Sequence, residues 1–194
     1  MDILQYTADH NAFRDRLGAF LTAEVTPYAA QWEQDRTVPR EIWHKMGRSG
    51  FLCMDVPPEY GGAGGDFLYS VILTEEMSRT GITGLAAALH SDIVVPYITA
   101  FGSEDQKRRY LPGCVSGGIV TAVAMTEPDA GSDLAGIRTL AEEDGDSVVL
   151  NGAKTFISNG LLSDLVIVAA READLDNPHL GLSLYLVEAG TEGF

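Results

Sequence analysis

The segment AVAMTEPDAGSDLAG at residues 122–136, with its companion KTFISNG at residues 154–160, decides how this chain is divided. The first opens as an apolar alternating run (Val120, Ala122, Ala124), the period of a strand with two unlike faces, whereas the apolar residues before Gly117 recur at helical spacing. The run breaks at Glu127-Pro128 into a loop carrying Gly131, Ser132 and Asp133. Small residues there let backbone N–H groups approach an anionic ligand, and the hydroxyls of Thr126 and Ser132 add directed hydrogen bonds. The companion reads as a short strand over Thr155–Ser158, in which Phe156 and Ser158 stand two apart and share a face. Such a loop beside such a strand would hold a flat, polar-edged ring with a phosphate tail, the shape of a flavin dinucleotide. Without further context, the same residues also read as a strand, a turn and a hairpin.

Working outward, the N-terminal part reads as helices. Asp9–Gln34 places Phe13, Leu17, Phe20, Leu21, Val25 and Tyr28 on one face, with a kink at Pro27. Pro39 opens a second helix whose apolar face is Ile42, Trp43 and Met46 and which ends near Gly47–Gly50. Residues 57–65 form a loop. Asp66 caps a helix to about Arg79, and a nearly all-apolar helix follows from Thr83 to Phe101. Ser103–Gln106 has the form of a capping box and starts a helix that Pro112-Gly113 would stop at Leu111. After Gly117-Gly118, strands are expected at Ile119–Met125, Arg138–Ala141, Ser147–Asn151, Thr155–Ser158, Leu165–Ala170 and Leu182–Val187. Asp144-Gly145 and Asn151-Gly152 are hairpin signals. The fold class is α+β, a helical domain over 1–117 followed by an antiparallel β-domain over 118–194.

Composition narrows the function classes. The chain has 194 residues, 45% of them hydrophobic and 21% charged, with a net charge of −15. That charge argues against binding nucleic acid or an anionic membrane surface. Cys53 and Cys114 have no second ligand pair near them and read as free thiols in a reducing compartment. The N-terminus lacks a basic then apolar leader, and the longest apolar stretch, Leu85–Phe101, contains His90, Asp92 and Pro96. No membrane span and a cytoplasmic location are therefore expected. Gly61–Gly65 has neither a strand before it nor a Lys-Ser/Thr after it and is not a phosphate loop.

MTEPDAGSDLAGIRT at 125–139, followed at this spacing by DGDSVVLNGAKTFISNG at 144–160, resembles the acyl-CoA dehydrogenase family. The likeness runs nearly the whole chain, and FISNG and ALHSDIVVPYITAFGSEDQ (88–106) resemble its long-chain branch. It implies FAD as cofactor, an acyl-CoA substrate dehydrogenated to the trans-2-enoyl thioester, electron-transfer flavoprotein as electron acceptor, and a homo-oligomer, dimer or tetramer. It further implies that Val123, Met125, Thr126, Gly131 and Ser132 line the flavin and its diphosphate, with Thr126 at the pyrimidine edge of the ring. Phe156, Ile157 and Ser158 match the ring-contacting segment, where tryptophan and threonine are frequent instead; Ser158 keeps a hydroxyl for the nitrogen that accepts hydride. Ser132 also faces the acyl-CoA in the family, and His90, Ser91 and Val94 are candidate lining residues of the acyl cavity. Asp129 stands where glycine is common.

The family continues with the rest of the β-domain and a C-terminal helical domain that supplies the catalytic glutamate. That base is expected beyond Phe194, in the remainder of the dehydrogenase chain, so no catalytic residue is nominated here. Glu59, Glu75 and Glu76 read as solvated charges and Glu127 as part of a turn. The residues themselves leave bland readings open: Phe156 as a core aromatic, His90 as a packed histidine on an apolar helix, Trp32 and Trp43 as core, and His10, His44 and His179 as surface. Two other readings are an acyl-CoA oxidase or nitroalkane oxidase on the same fold, and a non-catalytic half of a split enzyme.

Overall fold

A computed structural model describes residues 4–172 and 181–194. The chain divides into two units, Met1–Val120 and Thr121–Phe194. His179, expected at the surface, lies outside the described residues.

The first unit is built of α1 (Ala8–Glu24), α2 (Ala29–Asp35), α3 (Arg40–Arg48), α4 (Phe67–Thr80), α5 (Val95–Phe101) and α6 (Glu104–Ser116). The break expected at Pro27 is a single 3₁₀ turn over Thr26–Tyr28, where the proline fits the first turn and starts a new helix. Asp66 caps α4 by accepting from the Leu68 amide. Trp43, Phe13 and Leu17 fill the core. Two charged or polar side chains read as surface are inside it. His10 is 3% exposed: its Nδ1 accepts from the Thr7 amide, so the proton sits on Nε2, which donates to Asp66 Oδ1 at 3.0 Å. Glu76 is buried too, held by Arg14 and Arg79.

Two helix ends differ from expectation. The helix expected from Thr83 is a π-helical turn over Leu89–Val94 leading into α5, a wide turn of the kind that recurs at functional positions. Pro112 does not stop α6 but lies inside it, and the helix runs to Gly117 in the left-handed conformation. Proline there costs one backbone hydrogen bond and about 3 kcal/mol in an isolated helix. Leu111 and Cys114 on either side are fully buried, so packing holds the helix through the proline.

The second unit is a five-stranded sheet of β1 (Thr121–Ala124), β2 (Leu140–Asp144), β3 (Ser147–Asn151), β4 (Leu165–Glu172) and β5 (Leu182–Glu188). It is mixed rather than antiparallel. β1 pairs parallel with the first half of β4, Thr121 to Leu165 through Ala124 to Val168, and β2 pairs parallel with the end of the same edge, Leu140 with Arg171. Residues 125–139 leave that edge and return to it without reversing the chain, so both pairings keep one direction. β3 returns antiparallel to β2 through Gly145, at φ 62, and β5 covers the opposite edge of β4. Asn151-Gly152 makes no hairpin turn. The requirement for glycine is closeness instead: a Cβ at Gly152 would lie 2.3 Å from Thr139 Oγ1. Ala122, Ala124, Val166 and Val168 form an apolar face onto which Leu150, Ile157 and Val187 pack. No described helix is long and apolar enough to cross a membrane.

Candidate functional site

The segment expected as a strand over Thr155–Ser158 lies along β1 but makes no ladder. Its beginning is tied just past the end of β1, where the Thr155 amide donates to the Thr126 carbonyl at 3.0 Å. Its end is tied to the start of β1, where Asn159 Nδ2 donates to the Thr121 carbonyl at 3.1 Å. Between these feet the chain arches. Phe156 and Asn159 have φ of 55° and 63°, left-handed values that interrupt any strand. For a bulky aromatic this conformation costs on the order of 1 kcal/mol or more, and such outliers concentrate at functional sites. Ile157 turns inward and anchors the arch on the apolar sheet face, while Phe156 is 91% exposed and Ser158 is exposed. The expectation that Phe156 and Ser158 share a strand face therefore fails, because the backbone between them is not extended; both nevertheless project from one raised arch.

The loop after β1 is equally constrained. Glu127 and Ala130 bond each other's backbones across Pro128-Asp129, at 2.8 and 3.2 Å, closing a tight turn. The Glu127 side chain folds beneath it, 6% exposed. Its carboxylate accepts from the Arg138 amide at 2.7 Å, from the Thr139 amide at 2.9 Å and hydroxyl, and from Lys154 Nζ at 2.8 Å. Burial pushes this carboxyl up, but Lys154, the Thr139 hydroxyl and the two amides outweigh it and hold it down at about 2. Lys154 Nζ also donates to the Met125 carbonyl at 2.9 Å. From sequence, Glu127 reads as a turn residue and Lys154 has no assigned role. The signal for the pair is two opposite charges, one inside each of the two motifs.

The site residues fall as follows. Val123 and Met125 are half-buried at the end of β1 and just beyond it, and Thr126, also half-buried, is joined through its carbonyl to the arch. Gly131 and Ser132 are exposed at the turn tip. A Cβ at Gly131 would meet nothing within 4 Å and its φ is not left-handed, so the fold itself does not demand glycine there. That leaves the loop open to a close-lying group, and its accessible donors are neutral. Arg138, beside it, is paired with Asp129 at 2.9 Å. These features fit a flavin dinucleotide: an exposed aromatic surface, accessible hydroxyls and an unobstructed glycine.

His90, Ser91 and Val94 come together on the π turn of the helical unit, all within its core. His90 Nε2 donates to the Cys114 carbonyl at 3.1 Å and lies 3.4 Å from Cys53 Sγ. Ser91 Oγ accepts from the Cys53 amide at 3.0 Å. Burial pulls the imidazole down to about 4, against the opposing pull of the Cys114 carbonyl, so it is neutral at pH 7. These are the contacts of a packed histidine.

Residues 7–118 match the acyl-CoA dehydrogenase N-terminal domain and residues 122–194 the acyl-CoA dehydrogenase middle domain. The chain belongs to the acyl-CoA dehydrogenase family. Among its relatives, the mitochondrial long-chain specific acyl-CoA dehydrogenase of Sus scrofa is 46% identical over 97% of this chain and 44% of its own length. A crystal structure of acyl-CoA dehydrogenase from Geobacillus kaustophilus is 46% identical and superposes with a TM-score of 0.94, covering 99% of this chain and 50% of that one. A glutaryl-CoA dehydrogenase from Mycobacterium smegmatis, solved in complex with FADH2, is 30% identical with a TM-score of 0.88, covering 97% of this chain and 47% of that one. The chain thus spans about half the length of the acyl-CoA dehydrogenases it matches.

Proposed function

We propose that this chain is the flavin-contacting portion of an FAD-dependent acyl-CoA dehydrogenase acting on long-chain acyl thioesters. The observation that carries the reading is the arch at 155–159, tied at one end to Thr126 just past β1 and at the other to Thr121 at its start, and lifting Phe156 to 91% exposure beside the Thr126–Ser132 loop. An aromatic held in a costly conformation with its face outward is poorly explained by packing and well explained by a planar partner. In this reading Thr126 bonds the pyrimidine edge of the ring, Gly131 and Ser132 meet the diphosphate, Phe156 covers ring surface, and the Ser158 hydroxyl reaches the ring's reactive nitrogen. The bound flavin supplies the two-electron acceptor that side chains lack.

The residues of this chain then bind and orient. Neutral N–H and O–H donors hold an anionic diphosphate without a lysine, which suits an acidic chain. Fixing the ring's height above the sheet sets its distance from the acyl β-carbon. The base that takes the α-proton belongs, in this reading, to the half of the family's length that this chain does not span. Electrons pass to electron-transfer flavoprotein, and the enzyme is a homo-oligomer. The identity to long-chain specific dehydrogenases supports the substrate class, and buried Cys53 and Cys114, neither in a disulfide, accord with a reducing compartment such as the cytoplasm.

Purification with added FAD tests the reading. A yellow protein whose flavin emission is quenched, and whose colour bleaches anaerobically with a long-chain acyl-CoA once the rest of the enzyme is supplied, is expected. Protein that retains no flavin would sink it, and rapid peroxide formation without an acceptor protein would move it to the oxidases.

A further inference from the structure

We propose that Glu127 and Lys154 are a positioning pair for the flavin site, a buried latch that sets the arch at 155–159 against the loop at 125–132. The inference rests on the flavin reading above. Neither side chain is offered as touching the ring.

The argument is geometric. Lys154 immediately precedes the arch and Glu127 immediately follows Thr126. The ammonium bridges Glu127 Oε1 at 2.8 Å and the Met125 carbonyl at 2.9 Å, so one cation grips both sides of Thr126. One residue further along each segment, the Thr155 amide meets the Thr126 carbonyl at 3.0 Å. Together these bonds fix the backbone of Thr126 and the foot from which Phe156 rises. Glu127 extends the hold to the far end of the loop through the Arg138 and Thr139 amides. The side chains of the pair are only 11% and 5% exposed, where an ion pair is weakly screened and its geometry well defined. Lysine and glutamate buried at this depth are rare unless paired, and an apolar pair would pack the same space. What the charged pair adds is direction: bonds to a carbonyl, between ammonium and carboxylate, and from two amides and a hydroxyl, which no aliphatic contact specifies. Phe156, one residue beyond the upper foot, sits in a left-handed conformation that persists only where its surroundings dictate it.

Three variants, Lys154→Met, Lys154→Arg and Glu127→Gln, are compared with Ile167→Val, which trims a fully buried residue of β4 that bonds neither member of the pair. In flavin-free protein, amide exchange at Thr155 reads the latch directly. In the same proteins, titration with FAD reads affinity, and the visible spectrum of the bound flavin reads ring placement. Lys154→Met and Glu127→Gln are expected to raise Thr155 exchange at least tenfold, weaken FAD at least tenfold and shift the flavin bands, with Lys154→Arg restoring most of the affinity. Ile167→Val is expected to lower the unfolding midpoint while leaving affinity and bands in place. The proposal is overturned if the wild type binds FAD and Lys154→Met binds it with unchanged affinity and spectrum. It is equally overturned if Ile167→Val weakens FAD as much as Lys154→Met does. Failure of the wild type to bind FAD would sink the flavin reading instead, and the Thr155 exchange result would still report whether the latch exists.

Discussion

Asn159 Nδ2 stands 3.1 Å from the Thr121 carbonyl oxygen, so the last residue of the arch is hung from the first residue of β1. Asn159 also carries φ 63°, a conformation that asparagine tolerates better than most residues and glycine better still. The two contributions separate by substitution. Asn159→Gly loses only the side-chain bond and should cost about 1 kcal/mol. Asn159→Ala loses the bond and the favourable backbone and should cost about 2 kcal/mol. Urea unfolding of both variants checks the order; equal costs would mean that the backbone conformation carries no penalty.

His90 gives the helical unit a pH limit. Its folded-state value of about 4 lies below the ordinary 6.5, so an unfolded chain takes up a proton that the folded one refuses. The stability this protects is complete above pH 6.5 and is lost as pH falls toward 4, about 3 kcal/mol over the whole interval. His90→Gln removes the titration, and the difference in unfolding free energy between wild type and variant should shrink across that window. A difference independent of pH would show that the imidazole does not resist protonation.

How much of this was readable in advance can be judged by range. Asp66 at the head of α4, the Gly145 turn and the limits of β3 depend on neighbours in sequence, and they stand where periodicity and turn chemistry put them. The parallel pairing of β1 and β2 on β4, the burial of Glu127 against Lys154, and Pro112 carried inside α6 all depend on partners far along the chain. Phe156 is the instructive failure. Its residue type favours a strand, and only the ties on either side of it force the left-handed turn. At the candidate site the residue types were legible, whereas the backbone that aims them was not.

Gly117 and Gly47 report on how closely α3 approaches the end of α6. A Cβ on Gly117 would lie 2.2 Å from the Trp43 carbonyl oxygen, and one on Gly47 2.2 Å from that of Ser116. Gly117 is additionally left-handed, at φ 70°. Gly117→Ala should therefore cost more than Gly47→Ala, about 3 against about 2 kcal/mol, since it adds backbone strain to overpacking. Thermal unfolding of the two variants decides the order.

Gly131→Ala should separate fold from ligand. With open space around the added methyl and no left-handed φ, stability should hold or rise by about 0.5 kcal/mol. Affinity for FAD should fall at least tenfold, because the methyl intrudes where the diphosphate must approach. Unchanged FAD affinity would remove this glycine from the proposed site.

β4 works as a ruler for the whole sheet unit. One eight-residue strand sets the registers of β1, β2 and β5 at once, while the stretch between β1 and β2 only has to leave its edge and come back. Residues gained or lost around 128–136 can be absorbed in that excursion with the pairings intact. A single residue deleted from the middle of β4 would turn the later side chains of that strand to the opposite face of the sheet, breaking its pairing with β2 and with the start of β5 while the footing of the arch on Val166 and Val168 stays in place.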